Sequence, residues 1–200
     1  MCEPVVLGFR AHSGWAAAVA VAGSVMNPII LERRRFETAD HRIPGSKQPF
    51  HAAKELPGET AETFIRECRE SSTRLAIRAV SDLKTEVTQN GFRVVGAAIL
   101  LASPRSLPPL TAILRSHALI HTAEGEFFRD GLVVASQHCS LQMTRVKERD
   151  IWNTAGNIFG LPVPFLQRRV GQLGKWVGPP WRQDEKFAAL AAWIALLGYV

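Results

Sequence analysis

The sequence predicts a mixed α/β fold in which a five-stranded sheet carries helices on its faces. Three short apolar runs open the chain, a long amphipathic segment follows them, and apolar runs then alternate with helical segments. The predicted order is β-β-β-α-β-α-β-α-α. The chain has 200 residues, 46% of them hydrophobic, which suits a single domain over residues 1–200.

The first three strands are expected to form an antiparallel meander. Residues 5–9, 15–22 and 29–36 are apolar or alternate between apolar and polar side chains. Turn residues separate them, at Ser13-Gly14 and again over residues 23–28.

A long helix and a buried strand are predicted next. Residues 40–58 contain prolines and glycines and are expected to form a surface loop. Apolar residues then recur at spacings of three and four over residues 60–89, which predicts an amphipathic helix that ends at Asn90-Gly91. Residues 93–102 form a continuous apolar run, which predicts a strand buried on both faces in the middle of the sheet.

The remainder is predicted to contain one more strand between helices. The proline pair 108–109 is expected to start a helix that continues, with a break near Gly125, to about His138. Alternation over residues 141–147 predicts the fifth strand, and residues 150–200 are expected to be helical. Glycines and prolines predict two breaks in that segment, at residues 160–164 and 178–180.

Charge and cysteine content narrow the class of protein. The chain has 24 basic and 18 acidic residues and a net charge of +6, which favours anionic partners without forming a basic tail. Its three cysteines are widely spaced and never in CxxC form, so neither a disulfide framework nor a zinc knuckle is indicated. We expect a cytoplasmic protein.

Two long apolar runs, residues 15–22 and 187–200, are the candidates for a membrane or export segment, and neither indicates one. Residues 15–22, followed by Gly-Ser, resemble the end of a signal peptide, but Glu3 and the turn at Ser13-Gly14 argue against export. Residues 187–200 are too few to span a bilayer. We therefore expect no membrane partner.

The element order, the opening VVLGFRAHSGW and the final helix DEKFAALAAWIAL resemble the ribonuclease H-like superfamily, and within it the Holliday-junction resolvases of the RuvC type. In such resolvases the first strand reads Gly-hydrophobic-Asp before a turn and a small-Gly-aromatic group. This chain has Gly8-Phe9-Arg10 and then Ser13-Gly14-Trp15. The resemblance covers nearly the whole chain in layout. It implies a ribonuclease H-like fold and, in intact members, a two-metal nuclease.

The chain departs from that family at the catalytic positions. Arg10 replaces the first aspartate. Residues 97–101 contain no acidic residue, whereas the fourth strand of the family normally carries a glutamate. Only Asp184 matches an acidic position of the last helix. Two-metal cleavage needs several carboxylates, and a cation about 4 Å from the metal position adds repulsion of about 4 kcal/mol per unit charge pair. We therefore expect ordinary nuclease activity to be absent, with no metal or cofactor.

A polar cleft that binds an anion is expected where the first and fourth strands end, since ligands of α/β sheets bind at that rim and arginine suits phosphate or carboxylate. Simpler roles remain open, with Arg10 paired to a structural acid, Ser13-Gly14 serving as a turn, and Asp184 capping the last helix. The candidate ligand-binding residues are Arg10, His12, Ser13, Ser103, Arg105 and Asp184.

A basic, tryptophan-bearing segment near the C-terminus is the candidate nucleic-acid surface, because cations follow a phosphate backbone and aromatic rings stack on bases. An ordinary basic surface or a protein interface has the same composition. Residues 47–51 are not part of this surface; they are expected to form either a loop that folds over the polar cleft or a solvated connection. The candidate nucleic-acid-binding residues are Arg168, Arg169, Lys175, Trp176, Trp181 and Arg182.

The stretch SHALIHTAEGE holds the third candidate site. On a helical wheel drawn from Leu110 at about 100° per residue, His117 and His121 fall within the apolar stripe, and Glu124 lies close to it. Such a pair with an acid at i+7 can supply three zinc ligands, or a base with its orienting carboxylate. The alternative is a pair of core histidines that bond to the backbone or to Glu124.

The function that the sequence favours is a non-nucleolytic relative that binds an anionic ligand or nucleic acid through the strand rim and the basic segment. An enzyme that works through His117, His121 and Glu124 is the first alternative. The second is an oligomeric scaffold, for which an apolar patch would be formed by Trp193, Leu197 and Tyr199.

Overall fold

The computed structural model describes residues 2–102 and 106–199, and it contains one mixed sheet between two layers of helices. The strands are β1 (Pro4–His12), β2 (Trp15–Gly23), β3 (Pro28–Glu37), β4 (Arg93–Leu101) and β5 (Gln142–Lys147). The helices are α1 (Pro49–Ala53), α2 (Gly58–Gln89), α3 (Leu110–Leu114), α4 (His117–His138), α5 (Ile151–Phe159), α6 (Val163–Leu173) and α7 (Gln183–Leu196), with a 3-10 turn at Glu148–Asp150.

The spatial order of the strands is β3-β2-β1-β4-β5. As predicted, β1, β2 and β3 form an antiparallel meander. A two-residue turn joins the first pair, and Gly14 takes a positive φ of 81° there, a conformation that glycine adopts without strain. The predicted opening hairpin is confirmed.

Strands β1, β4 and β5 are parallel to one another, so all three end at the same edge of the sheet. Strand β4 lies between β1 and β5, and its residues from Ala97 to Leu100 are almost fully buried. The predicted interior strand is therefore confirmed, although β1 holds the central position.

Helix α7 packs across β1 and β2 on one face of the sheet, while α2 and α4 cover the other face. Gly8 makes the close approach of α7 possible. A Cβ atom built on this glycine would overlap the backbone carbonyl of Ala188 in α7. The two ends of the chain therefore meet across the sheet, as the resemblance implied.

Two connections differ from the sequence prediction. The loop expected over residues 40–58 contains the short helix α1, whose Phe50 is buried. The helix break expected near Gly125 occurs instead at Arg115-Ser116, since the Ser116 hydroxyl accepts the backbone N–H of Leu119 and starts a new helix there.

The predicted C-terminal apolar patch is wrong. Trp193 is buried, its ring stacks on Phe159 with centroids 4.4 Å apart, and its indole N–H donates to the carbonyl of Val25 at 3.0 Å. Tyr199 places its hydroxyl 3.3 Å from the side-chain oxygen of Gln142. Leu197 and Tyr199 are half-buried, so these three side chains do not form an exposed apolar patch.

The three cysteines are free thiols, and burial raises the pKa of Cys68 to about 11. Among residues 2–102 and 106–199, no helix combines the length and the apolar character that crossing a membrane requires.

Candidate functional site

A charged cluster lies at the edge where the parallel strands end. Arg10 is near the end of β1, Glu148 directly follows β5, and Asp184 is in the first turn of α7. These side chains come from three separate elements, and the topology of the sheet brings them together.

Arg10 bridges the two carboxylates. Its Nη2 and Nε donate to Oε1 and Oε2 of Glu148, at 2.5 and 3.3 Å, and its Nη1 donates to Oδ1 of Asp184 at 2.5 Å. The Arg10 side chain is only 14% exposed, and its guanidinium carbon lies 5.1 Å from the ring centre of Phe187. The guanidinium thus bridges two acids in a partly buried site and compensates one of their two negative charges, with a fork geometry that lysine cannot reproduce.

His12 extends this cluster toward the surface. Its Nε2 lies 2.8 Å from the same Oδ1 of Asp184 that Arg10 contacts. The His12 ring stacks on Trp15 with centroids 4.2 Å apart and an interplanar angle of 9°. The guanidinium carbon of Arg35 lies 3.8 Å from the Trp15 ring centre. A continuous set of side chains therefore joins the buried ion pairs to the outer strand β3.

The predicted capping role of Asp184 is wrong. Helix α7 has Arg182 at its N-cap, and the Arg182 backbone N–H donates to the Glu185 carboxylate at 2.7 Å. The Asp184 carboxylate instead meets Arg10 and His12. Arg10 pairs with two acids of the fold, which is the simpler role considered for it from the sequence.

Glu148 was missing from the sequence-based candidates. It lies in a polar stretch, Lys147 to Asp150, that has no recognisable motif. A usable signal existed, because Glu148 is the first acid after the predicted fifth strand, and strands that lie parallel in a sheet end at the same rim.

The remaining rim candidates do not join the cluster. Ser13 is exposed in the hairpin turn, consistent with its simpler role as a turn residue. Ser103 and Arg105 lie outside the described residues. Of the residues predicted to form the anion cleft, Arg10, His12 and Asp184 come together. The guanidinium of Arg10 already donates its hydrogen bonds to Glu148 and Asp184.

An open cleft of about 460 Å³ runs beside this cluster, and we call it the edge cleft. Its walls include Trp15, β3 residues 33–35, the proline pair 179–180 and the start of α7. Arg33 donates to the carbonyl of Pro179, and Arg35 is exposed. Arg34 points to the opposite face of the sheet, where it pairs with Glu86 at 2.6 Å.

The basic C-terminal candidates lie along the other half of β3. Arg169, Lys175 and Trp176 line a groove of about 450 Å³ against residues 28–30 of β3, which we call the Trp176 groove. Trp176 is 93% exposed. Arg169 donates to the side-chain oxygen of Asn27 at 3.0 Å, and Arg168 is exposed on α6.

Trp181 and Arg182 occupy different environments in that segment. The indole of Trp181 is partly buried and donates to the carbonyl of Val170 at 2.8 Å. Arg182 is exposed and lines the edge cleft. Four of the six candidates, Arg169, Lys175, Trp176 and Arg182, therefore line the two clefts beside β3, whereas Trp181 packs against α6 and does not present a free ring.

The histidine candidates form a separate cluster, which His51 also joins. His117 and His121 are exposed, whereas Glu124 is buried, so the expectation of core histidines is wrong. The helical wheel treated residues 110–128 as one continuous helix, but the helix breaks at Arg115-Ser116, so its predicted angles do not apply to α4. His51, predicted from the sequence to be part of a loop over the polar cleft or of a solvated connection, lies instead on α1 beside this cluster, with its Nδ1 2.9 Å from the Glu124 carboxylate.

No protein-family model matches the chain, and no curated protein matches its sequence. Solved structures do resemble it. A Thermus thermophilus RuvC structure aligns with a TM-score of 0.53 at 11% identity, over 97% of this chain and 96% of its own. T. thermophilus RuvC in complex with Holliday junction substrate aligns with a TM-score of 0.50 at 12% identity, over 95% of this chain and 90% of its own.

Both alignments cover nearly all of each chain. This chain therefore shares with RuvC the mixed five-stranded sheet that carries helices on its two faces. At identities of 11% and 12%, the likeness concerns the fold alone. The chain therefore has the ribonuclease H-like fold, in the arrangement found in RuvC.

Proposed function

We propose that this protein binds the phosphate backbone of nucleic acid along β3 and does not cut it. The observation that carries the proposal is the alignment of the edge cleft and the Trp176 groove along one outer strand. Strand β3 has 10 residues, so it extends over about 30 Å. This length matches about nine base pairs of duplex.

The side chains along this surface suit a polyanion. Arg33, Arg35 and Arg182 line the edge cleft, and Arg169 and Lys175 line the Trp176 groove. Cations that neutralise phosphates release counterions, which supplies sequence-independent affinity. The exposed Trp176 ring adds a surface on which an unpaired base can stack.

The acids beside the cleft do not suit a pair of divalent cations, which two-metal cleavage requires. Both carboxylate oxygens of Glu148 accept from Arg10, and Oδ1 of Asp184 accepts from Arg10 and faces His12. Arg10 therefore occupies carboxylate oxygens that metal ions would need as ligands. This donor set supports a protein that binds without two-metal hydrolysis.

The choice of probe follows from the structural comparison. One of the similar structures contains T. thermophilus RuvC with a Holliday junction substrate. A four-way DNA junction is therefore the first probe for this chain, and a linear duplex with the sequence of its arms is the second. Comparison of the two separates recognition of a junction from general binding to the backbone.

The test measures affinity by fluorescence anisotropy between about 50 and 200 mM salt. We expect wild-type binding to weaken steeply with salt. The double variant Arg35→Gln/Arg182→Gln should bind on the order of tenfold more weakly, with a salt slope smaller by about 2, because two phosphate contacts are lost. Neither probe should be cut when Mg²⁺ is added.

Arg74→Gln/Arg78→Gln is the matched control. It removes the same charge from exposed positions on α2, which covers the opposite face of the sheet. This variant should keep the wild-type affinity and slope. Equal weakening of the two double variants, affinity that does not change with salt, or Mg²⁺-dependent cutting would contradict the proposal.

A further inference from the structure

Three histidines converge on the side of the molecule formed by α1 and α4. His51 is on α1, and His117 and His121 are one turn apart at the start of α4. Their ring centroids are 4.4, 4.9 and 5.4 Å apart. One ring nitrogen from each histidine lies within 4.8 Å of the other two. We call this group the His51 triad.

The fold holds His51 in place from two directions. Phe50, the preceding residue, is buried and meets Phe127 of α4 edge-on, with centroids 6.0 Å apart. Upstream of α1, the Asp40 carboxylate accepts hydrogen bonds from Arg42 and from the hydroxyl of Ser71 on α2. The Arg42 side chain holds the pKa of Asp40 well below its usual range. The segment that leads to His51 is thus tied to α2.

Glu124 fixes which nitrogen His51 presents. The Glu124 side chain is 2% exposed, and its Oε1 accepts from the backbone N–H of His51 at 3.2 Å and lies 2.9 Å from Nδ1. A carboxylate only accepts, so this contact selects the tautomer with its hydrogen on Nδ1, and in the neutral ring Nε2 then carries the lone pair that a metal would use. A carboxylate that orients a metal-binding histidine in this way is a recurrent feature of metal sites.

A cation at the His51 triad would also compensate the negative charge of the buried Glu124. Burial of the Glu124 carboxylate is costly unless positive charge compensates it nearby. Protonated His51 is one source of that charge, and it needs no metal. A divalent cation bound by three neutral imidazoles is the other, and it explains why His117 and His121 stand beside His51.

The ligand chemistry selects the class of metal. Imidazole nitrogen suits zinc and neighbouring transition metals, whereas magnesium and calcium prefer oxygen ligands. Three histidines with a fourth position open to water is a donor set of catalytic zinc sites. Zinc ligands at 2.0–2.1 Å lie about 3.3 Å apart in tetrahedral geometry, so the exposed His117 and His121 need only small side-chain rotations.

We propose that His51, His117 and His121 bind one zinc-class divalent cation, that Glu124 orients His51, and that water takes the remaining position. Glu124 is therefore a positioning residue and not one of the three zinc ligands that the sequence could supply, and the proposal departs from the expectation that the chain holds no metal. The site is distinct from the edge cleft, and the proposal stands or falls independently of nucleic-acid binding.

The test uses the full chain stripped of metal and titrated with Zn²⁺ by calorimetry and with Co²⁺ by visible absorption. We expect one ion per chain and the intense Co²⁺ bands of a site with low coordination number. His51→Ala and His121→Ala should each weaken binding by about 100-fold or more, and Glu124→Gln by about 10- to 100-fold. Zn²⁺ should raise the Tm of the wild type clearly. It should raise the Tm of these variants only slightly or not at all.

His138→Ala is the matched control, because His138 is an exposed histidine at the other end of α4. It should bind Zn²⁺ like the wild type. Metal-free circular dichroism and Tm show whether Glu124→Gln folds, and the exposed His121 supplies a variant that leaves the core intact. Equal Zn²⁺ affinity in His121→Ala and His138→Ala would overturn the proposal, and so would a wild-type Tm that Zn²⁺ does not change.

Discussion

Gly8→Ala should lower the free energy of unfolding by about 3 kcal/mol, which corresponds to a fall in Tm of about 10 °C. The new methyl group would meet the backbone carbonyl of Ala188, and a helix backbone cannot rotate out of the way as a side chain can. The sheet and α7 would have to separate. Urea and thermal unfolding of the purified variant measure the change.

Gly171→Ala is the matched control. Gly171 is inside α6, and a Cβ atom at that position would meet nothing within 4 Å. This substitution should stabilise the protein by about 0.5–1 kcal/mol, since alanine is the better helix former. If both alanine variants have similar stability, β1 and α7 are not packed as described.

Arg10→Ala should reduce stability by about 2 kcal/mol, because Glu148 and Asp184 would lose the cation that joins them in a partly buried site. Arg149→Ala, which removes a neighbouring exposed arginine, should change stability by less than about 0.5 kcal/mol. Thermal and urea unfolding at low salt compare the two variants.

Arg10→Asp extends this experiment to metal binding. It places a third carboxylate beside Glu148 and Asp184 and removes the competing guanidinium. Millimolar Mg²⁺ or Mn²⁺ should raise the Tm of Arg10→Asp and leave the wild type and Arg10→Ala unchanged. Equal stabilisation of the wild type would mean that its carboxylates are available to metal.

The sheet was predictable because its signals are local. Alternating apolar runs and a two-residue turn define the opening hairpin, and a continuous apolar run defines β4. The long helix α2 follows from its regular apolar spacing. The resemblance to RuvC-type proteins, which rested on the order of these elements along the chain, is confirmed at the level of the fold.

The charged cluster was only half predictable. Arg10, His12 and Asp184 were expected near one rim, because strand ends and the last helix meet there. Glu148 has no motif of its own, and its contact with Arg10 joins residues 138 positions apart. Such pairing depends on three-dimensional register, which local periodicity does not specify.

The His51 triad shows a second limit. The spacing of His117 and His121 marks them as neighbours on a helix, but their exposure depends on where that helix starts. The chain breaks at Ser116, so the phase extrapolated from Leu110 does not apply to α4. The link between His51 and Glu124 spans 73 positions and depends on the packing of α1.

The position of β3 at the border of the sheet has a consequence for solubility. In the described part of the chain it pairs with β2 along one side only, which leaves the other side as a template for strand addition by a second molecule. The consecutive arginines of β3 act as gatekeepers, because bringing two such strands together would place like charges in contact. Glutamine replacements in this strand should therefore be checked for self-association before any change in ligand affinity is interpreted.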